Sequence, residues 1–141
     1  MEPTLIIHTA ATWAMVGLIW VVQVVVYPAF REVPESAFAE YERAHQRRMV
    51  AVLALFAPLE IITGAIVFLA PGDVPRWLPF IAGAVLAALW AGTGAYFAPL
   101  HGRMADRYSR SDIELLIRTN WFRTIGWTAR GGLVLVMVAV A

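Results

Sequence analysis

Glu60 and Arg130 are the two charged residues that apolar helices would carry farthest from water. Glu60 falls inside a long apolar run, about 16 Å of helical rise from the run's arginine-rich end. A carboxylate at such depth is costly unless it is paired, protonated or wet. Arg130 follows Phe122 by about 12 Å of rise, and the reach of an arginine stem brings its guanidinium to a similar level. The two are expected to meet as an interior ion pair. Such a pair could lock helix register, or it could be a catalytic or binding centre for substrate, cofactor or protons. Pro58 removes the donor that the Ala54 carbonyl would use, so a local kink is expected beside Glu60.

A second polar group gathers toward the arginine-rich ends of the same helices. Gln23, Tyr27, Tyr96, Asn120 and Arg123 are the ligand-binding candidates, because amide, phenol and guanidinium groups can fix a polar or quinone-like head group. His8, His45 and His101 are the metal candidates, for a metal ion or haem iron. Each also has a structural reading: His8 as a satisfied bundle histidine, His45 as a boundary residue and His101 as an interfacial cap. His8 and Gln23 are about 22 Å apart along one helix and cannot share a small site. There is no His-x-x-His, and the one Glu-x-x-His, Glu42 to His45, lacks the second copy and added carboxylates of a di-iron bundle. Asn120, Arg123, Trp127 and Arg130 recur at helical spacing and form one inward stripe. No Ser-His-Asp set, Walker loop or dinucleotide turn is written in the chain, and Gly92-Thr93-Gly94 serves packing inside a span.

The elements that must position these residues follow from composition. The 141 residues are 60% hydrophobic and only 15% charged. Soluble domains run at about 45–50% and about 25%, so the excess has to face lipid. Apolar runs at 5–28, 49–70, 78–100 and 121–141 predict an all-α, integral membrane, antiparallel four-helix bundle forming a single membrane domain over 1–141. The last run is freely apolar only from Gly131 to Ala141, about 16 Å of rise, so it must start near Trp121 and carry Arg130 into the membrane. The first has no basic leader and is expected to be retained. Pro71-Gly72 closes the second run and makes the second and third helices antiparallel neighbours.

All 11 cationic side chains are arginines, and nine of them, Arg31 to Arg48 and Arg103 to Arg123, fall on one side, with Arg76 opposite. The positive-inside rule then predicts a multi-pass protein of an inner (cytoplasmic) membrane with both termini outside. Pro34 suits the first turn of a helix that runs on into the second span, and Ser111-Asp-Ile-Glu114 has capping-box spacing ahead of the fourth. Gly83, Ala87, Ala91 and Ala95, with Ala84, Ala88 and Gly92 beside them, make one side of the third helix smooth. A tight helix interface is the first expectation, and a homodimer face an additional role. Tyr27, Trp77, Tyr108 and Trp121 are placed as interfacial anchors. The net charge of +1 argues against nucleic acid, and the absence of cysteine excludes disulfides and thiolate chemistry.

The stretches His8 to Trp13, Trp20 to Gln23 with Tyr27-Pro28, Tyr41 to His45 with Arg47-Arg48, and Asn120 to Thr124 with Trp127 to Arg130 carry a resemblance. Over its whole length the chain resembles small bacterial four-span membrane proteins of no established activity. More distantly, its first 65 or so residues look like the HemJ-type protoporphyrinogen oxidases and CopD-like membrane proteins, through the early histidine, Trp13, Arg47-Arg48-Met49, Pro58 and Gly64. That similarity implies a haem-associated redox bundle with His8 as the ligand. The size and the Asn-plus-Arg last helix are similar to anthrone-oxygenase-like membrane proteins. The leading expectation is a bundle binding a cofactor or small ligand in a polar interior, in its finer form a membrane oxidoreductase. The alternatives are a structural or assembly subunit with a membrane partner, and a small proton-coupled transporter.

Overall fold

A computed structural model describes residues 3–141, and among them every regular element is helical. Four helices, α1 (Pro3–Glu32), α2 (Glu35–Leu69), α3 (Trp77–Asp106) and α4 (Arg110–Val140), are each long and apolar enough to cross a membrane. Three of them overrun the expected spans chiefly at their arginine-rich ends. The 35 residues of α2 rise about 52 Å, well beyond a hydrocarbon core of about 30 Å. The polar segment Glu35 to Arg48 forms its first turns, as the continuous charge pattern predicts.

Two helix starts differ from expectation by small shifts. Pro34, with ψ at 143°, is the cap of α2 and stands just outside its first turn. The cap of α4 is Ser109, whose Oγ accepts from the Asp112 N–H at 3.2 Å. The cap therefore sits two residues ahead of the expected Ser111 box. Glu114 is thereby free to receive both Nε and Nη2 of Arg31, at 2.8 and 2.6 Å, tying the end of α1 to α4.

α1 and α3 each contain one π-helical turn, Val22–Val26 and Thr93–Phe97. Their cause is legible in the sequence. Each turn closes with an N–H bonding five residues back, Tyr27 to Val22 and Ala98 to Thr93, and each closing residue is followed by a proline, Pro28 or Pro99. Proline supplies no donor and crowds the carbonyl four residues before it, so the preceding turn widens. The assignment of α2, by contrast, runs unbroken through Pro58.

Around the bundle the order is α2, α1, α4, α3. α1 packs along both α2 and α4, and α3 packs along α4. Beside Trp77–Gly92 of α3, the α2–α3 seam is looser than the α3–α4 seam. The turn at 70–76 joins the two helices at one end, with Gly72 at φ 60° and Pro71 and Pro75 carbonyls accepting from Val74 and Leu78. At the other end Arg43 and Gln46 of α2 donate to the carbonyls of Ala105 and His101. Between these fastenings the helices stand apart.

Close packing uses glycines other than those expected. A Cβ at Gly126 or Gly131 of α4 would lie 2.8 Å from Leu89 or 3.2 Å from Val16, and one at Gly64 of α2 would lie 3.0 Å from His8. The smooth side of α3 serves no such interface within the chain. Gly83, Ala84, Ala87, Ala88, Ala91 and Ala95 are exposed, and a Cβ at Gly83 would meet nothing within 4 Å. α3 instead turns Leu78, Leu86 and Leu89 inward, with Ala82 among them, because the larger leucine side chains fill the space beside α4. Tyr27 is also corrected from a surface anchor to a core residue. Trp77, at the start of α3, and Trp121, well inside α4, remain exposed.

Candidate functional site

Two polar sites lie along the α2–α3 seam. The first sits between the two apolar clusters of the core, one built around Val16, Phe30 and Trp127 and the other around Leu5, Leu78 and Val134. Here Arg130 and Glu60 form the expected ion pair, Nη1 to Oε1, with both side chains shielded from solvent. The guanidinium also donates from Nε to the Ala82 carbonyl at 3.1 Å, from Nη1 to Thr12 at 2.9 Å and from Nη2 to His8 Nε2 at 3.1 Å. All four helices thus converge on one arginine.

The bond to Arg130 fixes the histidine. A guanidinium has no lone pair to offer, so His8 Nε2 is the acceptor and the imidazole is neutral. Its proton is on Nδ1, which donates to Thr63 Oγ1 at 2.9 Å, and the Thr63 hydroxyl passes its own hydrogen to the Leu59 carbonyl at 2.6 Å. Both ring nitrogens are therefore engaged, and coordination of haem iron by His8 would require its bond to Arg130 to break. Glu60 Oε2 has no hydrogen-bond partner, although it is fully enclosed.

His8 and Arg130 form part of the floor of a cavity of about 540 Å³ in the open part of the seam. Its walls are otherwise apolar: Gly64 and Phe68 of α2 face Phe80, Gly83 and Ala87 of α3, with Trp90 toward one end. Phe80 is 63% exposed and Ile61 46%, so the cavity opens on the outer surface of the bundle. Four of Arg130's five N–H groups are used, leaving one on Nη2 for a further acceptor.

The second site lies toward the arginine-rich end, just past the π turns. Tyr27 Oη and His101 Nε2 are 3.0 Å apart, and His101 Nδ1 donates to Glu42 Oε1 at 2.6 Å. Gln46 donates to the same Glu42 oxygen at 3.1 Å, while Oε2 has no partner. The His45 ring stacks on His101 with centroids 5.6 Å apart. Tyr27, His45, His101 and Arg123 line a cavity of about 230 Å³ that continues onto Met49 and Leu53.

Gln23 and Asn120 stand behind this cavity. Gln23 donates to the Ile117 carbonyl at 3.1 Å and accepts from Asn120 at 2.9 Å, and Asn120 Oδ1 accepts from Arg123 at 3.1 Å. They position Arg123 rather than face the cavity. Tyr96 is placed on the outer surface, 41% exposed, and Phe97 takes the interior place beneath the Arg123 guanidinium at 4.6 Å. The widened turn at 93–97 accounts for that change of facing.

Of the residues singled out by sequence, Glu60, Arg130 and His8 meet at one site, and Tyr27, His45, His101 and Arg123 at the other. Thr63 and Gln46 emerge only from the structure, and so does the buried place of Glu42, which the sequence offers only within an incomplete Glu-x-x-His. Glu42 shares a helix face with Phe38 and His45, at spacings of four and three, which was the available signal that it turns inward. Among the described residues no three His, Asp or Glu side chains converge as a metal site. The sequence matches no family model, no curated protein and no solved structure.

Proposed function

We propose that the chain is a multi-pass membrane protein that binds a lipid-soluble small molecule in the cavity between α2 and α3, with the ligand's polar head at Arg130 and His8. The observation that carries this reading is the cavity of about 540 Å³, apolar on its walls and polar only at its buried floor. Pockets of this volume with few convergent polar groups suit small ligands. The free N–H of Arg130 favours an acceptor head, such as a carbonyl oxygen, and the exposed rim favours arrival from lipid. The Glu60 charge holds the guanidinium in place through the pair, and a small shift of Arg130 would free His8 Nε2 as a proton acceptor near Glu60 Oε2, which has no partner.

A decyl-substituted benzoquinone titrated into the purified protein in nanodiscs tests the reading. Saturable quenching of tryptophan fluorescence is expected, with Trp90 on the cavity wall as reporter. Gly83→Phe, which has open space at its Cβ, is expected to weaken binding by about tenfold or more while the helical content is kept. Non-saturable quenching, unchanged by Gly83→Phe, would remove the reading. Its finer form, a membrane oxidoreductase, expects a visible absorption band in protein purified without added ligand.

A structural or assembly subunit is the second reading, favoured by the outward small-residue side of α3, which offers a second helix a close approach. It expects replacement of Glu60 and Arg130 together by apolar residues to leave function intact.

A further inference from the structure

The molecule holds two interior arginines, and they are in opposite states. Arg130 meets a carboxylate, a hydroxyl, an imidazole and a carbonyl. Arg123 donates to the neutral amide of Asn120 and lies beside the Tyr27 hydroxyl, and its Nε is enclosed with no partner. No carboxylate lies within ion-pair distance of it among the described residues. The buried carboxylate of the same site, Glu42, is committed through Oε1 to His101 and Gln46. Arg123 is held instead between two π faces, with its guanidinium carbon 4.6 Å from the Phe97 centroid and 5.6 Å from that of Trp127. Such stacking steadies a cation without neutralising it. A half-buried cation without a counter-charge is costly, and here it borders an open cavity.

We propose that this cavity is a second binding site, taking an amphipathic oxyanion: a carboxylate or phosphate on an apolar body. The anionic oxygens pair with Arg123, whose fork suits bidentate recognition of either group. The apolar body lies along Met49, Val50 and Leu53, where Val50, 64% exposed, marks the opening to the outer surface. The Tyr27, His101 and Glu42 line of hydrogen bonds fixes the facing wall. Gln23 and Asn120 are positioning residues, since both amides are spent on holding Arg123 toward the cavity. The two π turns support a built site, because both lie at this level and both set residues that line it. The inference is independent of ligand binding at Arg130.

The test compares dodecanoate with dodecanol by calorimetric titration of the full chain in a neutral maltoside detergent. Dodecanoate is expected to bind at least about tenfold more tightly, and Arg123→Gln to abolish that preference, as loss of a charge-assisted pair requires. A parallel arm measures thermal stability in phosphatidylcholine nanodiscs with and without phosphatidylglycerol. Stabilisation by the anionic lipid that Arg123→Gln removes supports the site with a lipid head group as its source, and a dodecanoate preference alone supports it with a free amphiphile. Should Arg123→Gln fail to fold, the wild-type comparison and Tyr27→Phe, expected to weaken dodecanoate several-fold, still decide. Equal affinity for acid and alcohol, with no response to anionic lipid, overturns the proposal.

Discussion

Glu60 and Arg130 hold each other in a position neither could occupy alone. Removing one leaves the other's charge enclosed, so Glu60→Gln or Arg130→Gln is expected to cost about 3–5 kcal/mol. The double variant Glu60→Gln with Arg130→Gln is expected to cost clearly less than the two single losses together, and thermal unfolding of the three variants in detergent measures the difference. Strictly additive losses would contradict the pairing. Glu42 differs, because its partner can adapt: Glu42→Gln keeps an acceptor for His101 Nδ1, whereas Glu42→Leu strands the imidazole. The second change is expected to cost about 1–3 kcal/mol more than the first in the same assay. The pair itself was legible in sequence because helical rise alone sets both groups at one depth. The arrival of His8 at that site was not, since it depends on Gly64, whose missing side chain lets α2 approach the imidazole.

At the level of helices, the π turns tie two prolines to the placement of Tyr27, Phe97 and His101. Pro28→Ala or Pro99→Ala restores a donor and permits an ordinary α turn, which would rotate the residues that precede and follow it. Each change is expected to leave stability within about 1 kcal/mol of the parent, the worth of one hydrogen bond, while weakening dodecanoate binding. Unchanged binding in both variants would separate the turns from the site. The glycines give a second contrast. Gly131→Leu drives bulk into Val16 and Trp13 and is expected to destabilise by about 1–3 kcal/mol, whereas Gly83→Leu should leave a monomer's melting temperature unchanged. The stripe on α3 misled because small residues at a spacing of four mark a surface suited to contact without naming the partner. Leu86 and Leu89, larger and on the opposite side, decided which face turned inward.

For the whole molecule, helix number was legible because three apolar runs are long and bounded by arginines or by Pro-Gly, and the fourth is too short to span unless it begins before Arg130. The seam was not, since a short connection fixes neighbours in space only near the connection. The expected sidedness can be tested directly, as the chain has no cysteine to remove. Single cysteines at Asp73 and Ser111 are expected to react with a membrane-impermeant maleimide from opposite sides of oriented vesicles. Labelling of both from one side would contradict a crossing by α3, and labelling of Asp73 from the cytoplasmic side with Ser111 from the outer side would reverse the topology. The opening in the α2–α3 seam also sets how any occupant must be counted. A guest that slips in sideways from the surrounding lipid is governed by its mole fraction there, so doubling the phospholipid at constant total guest should nearly halve occupancy, while doubling the buffer volume should leave it unchanged.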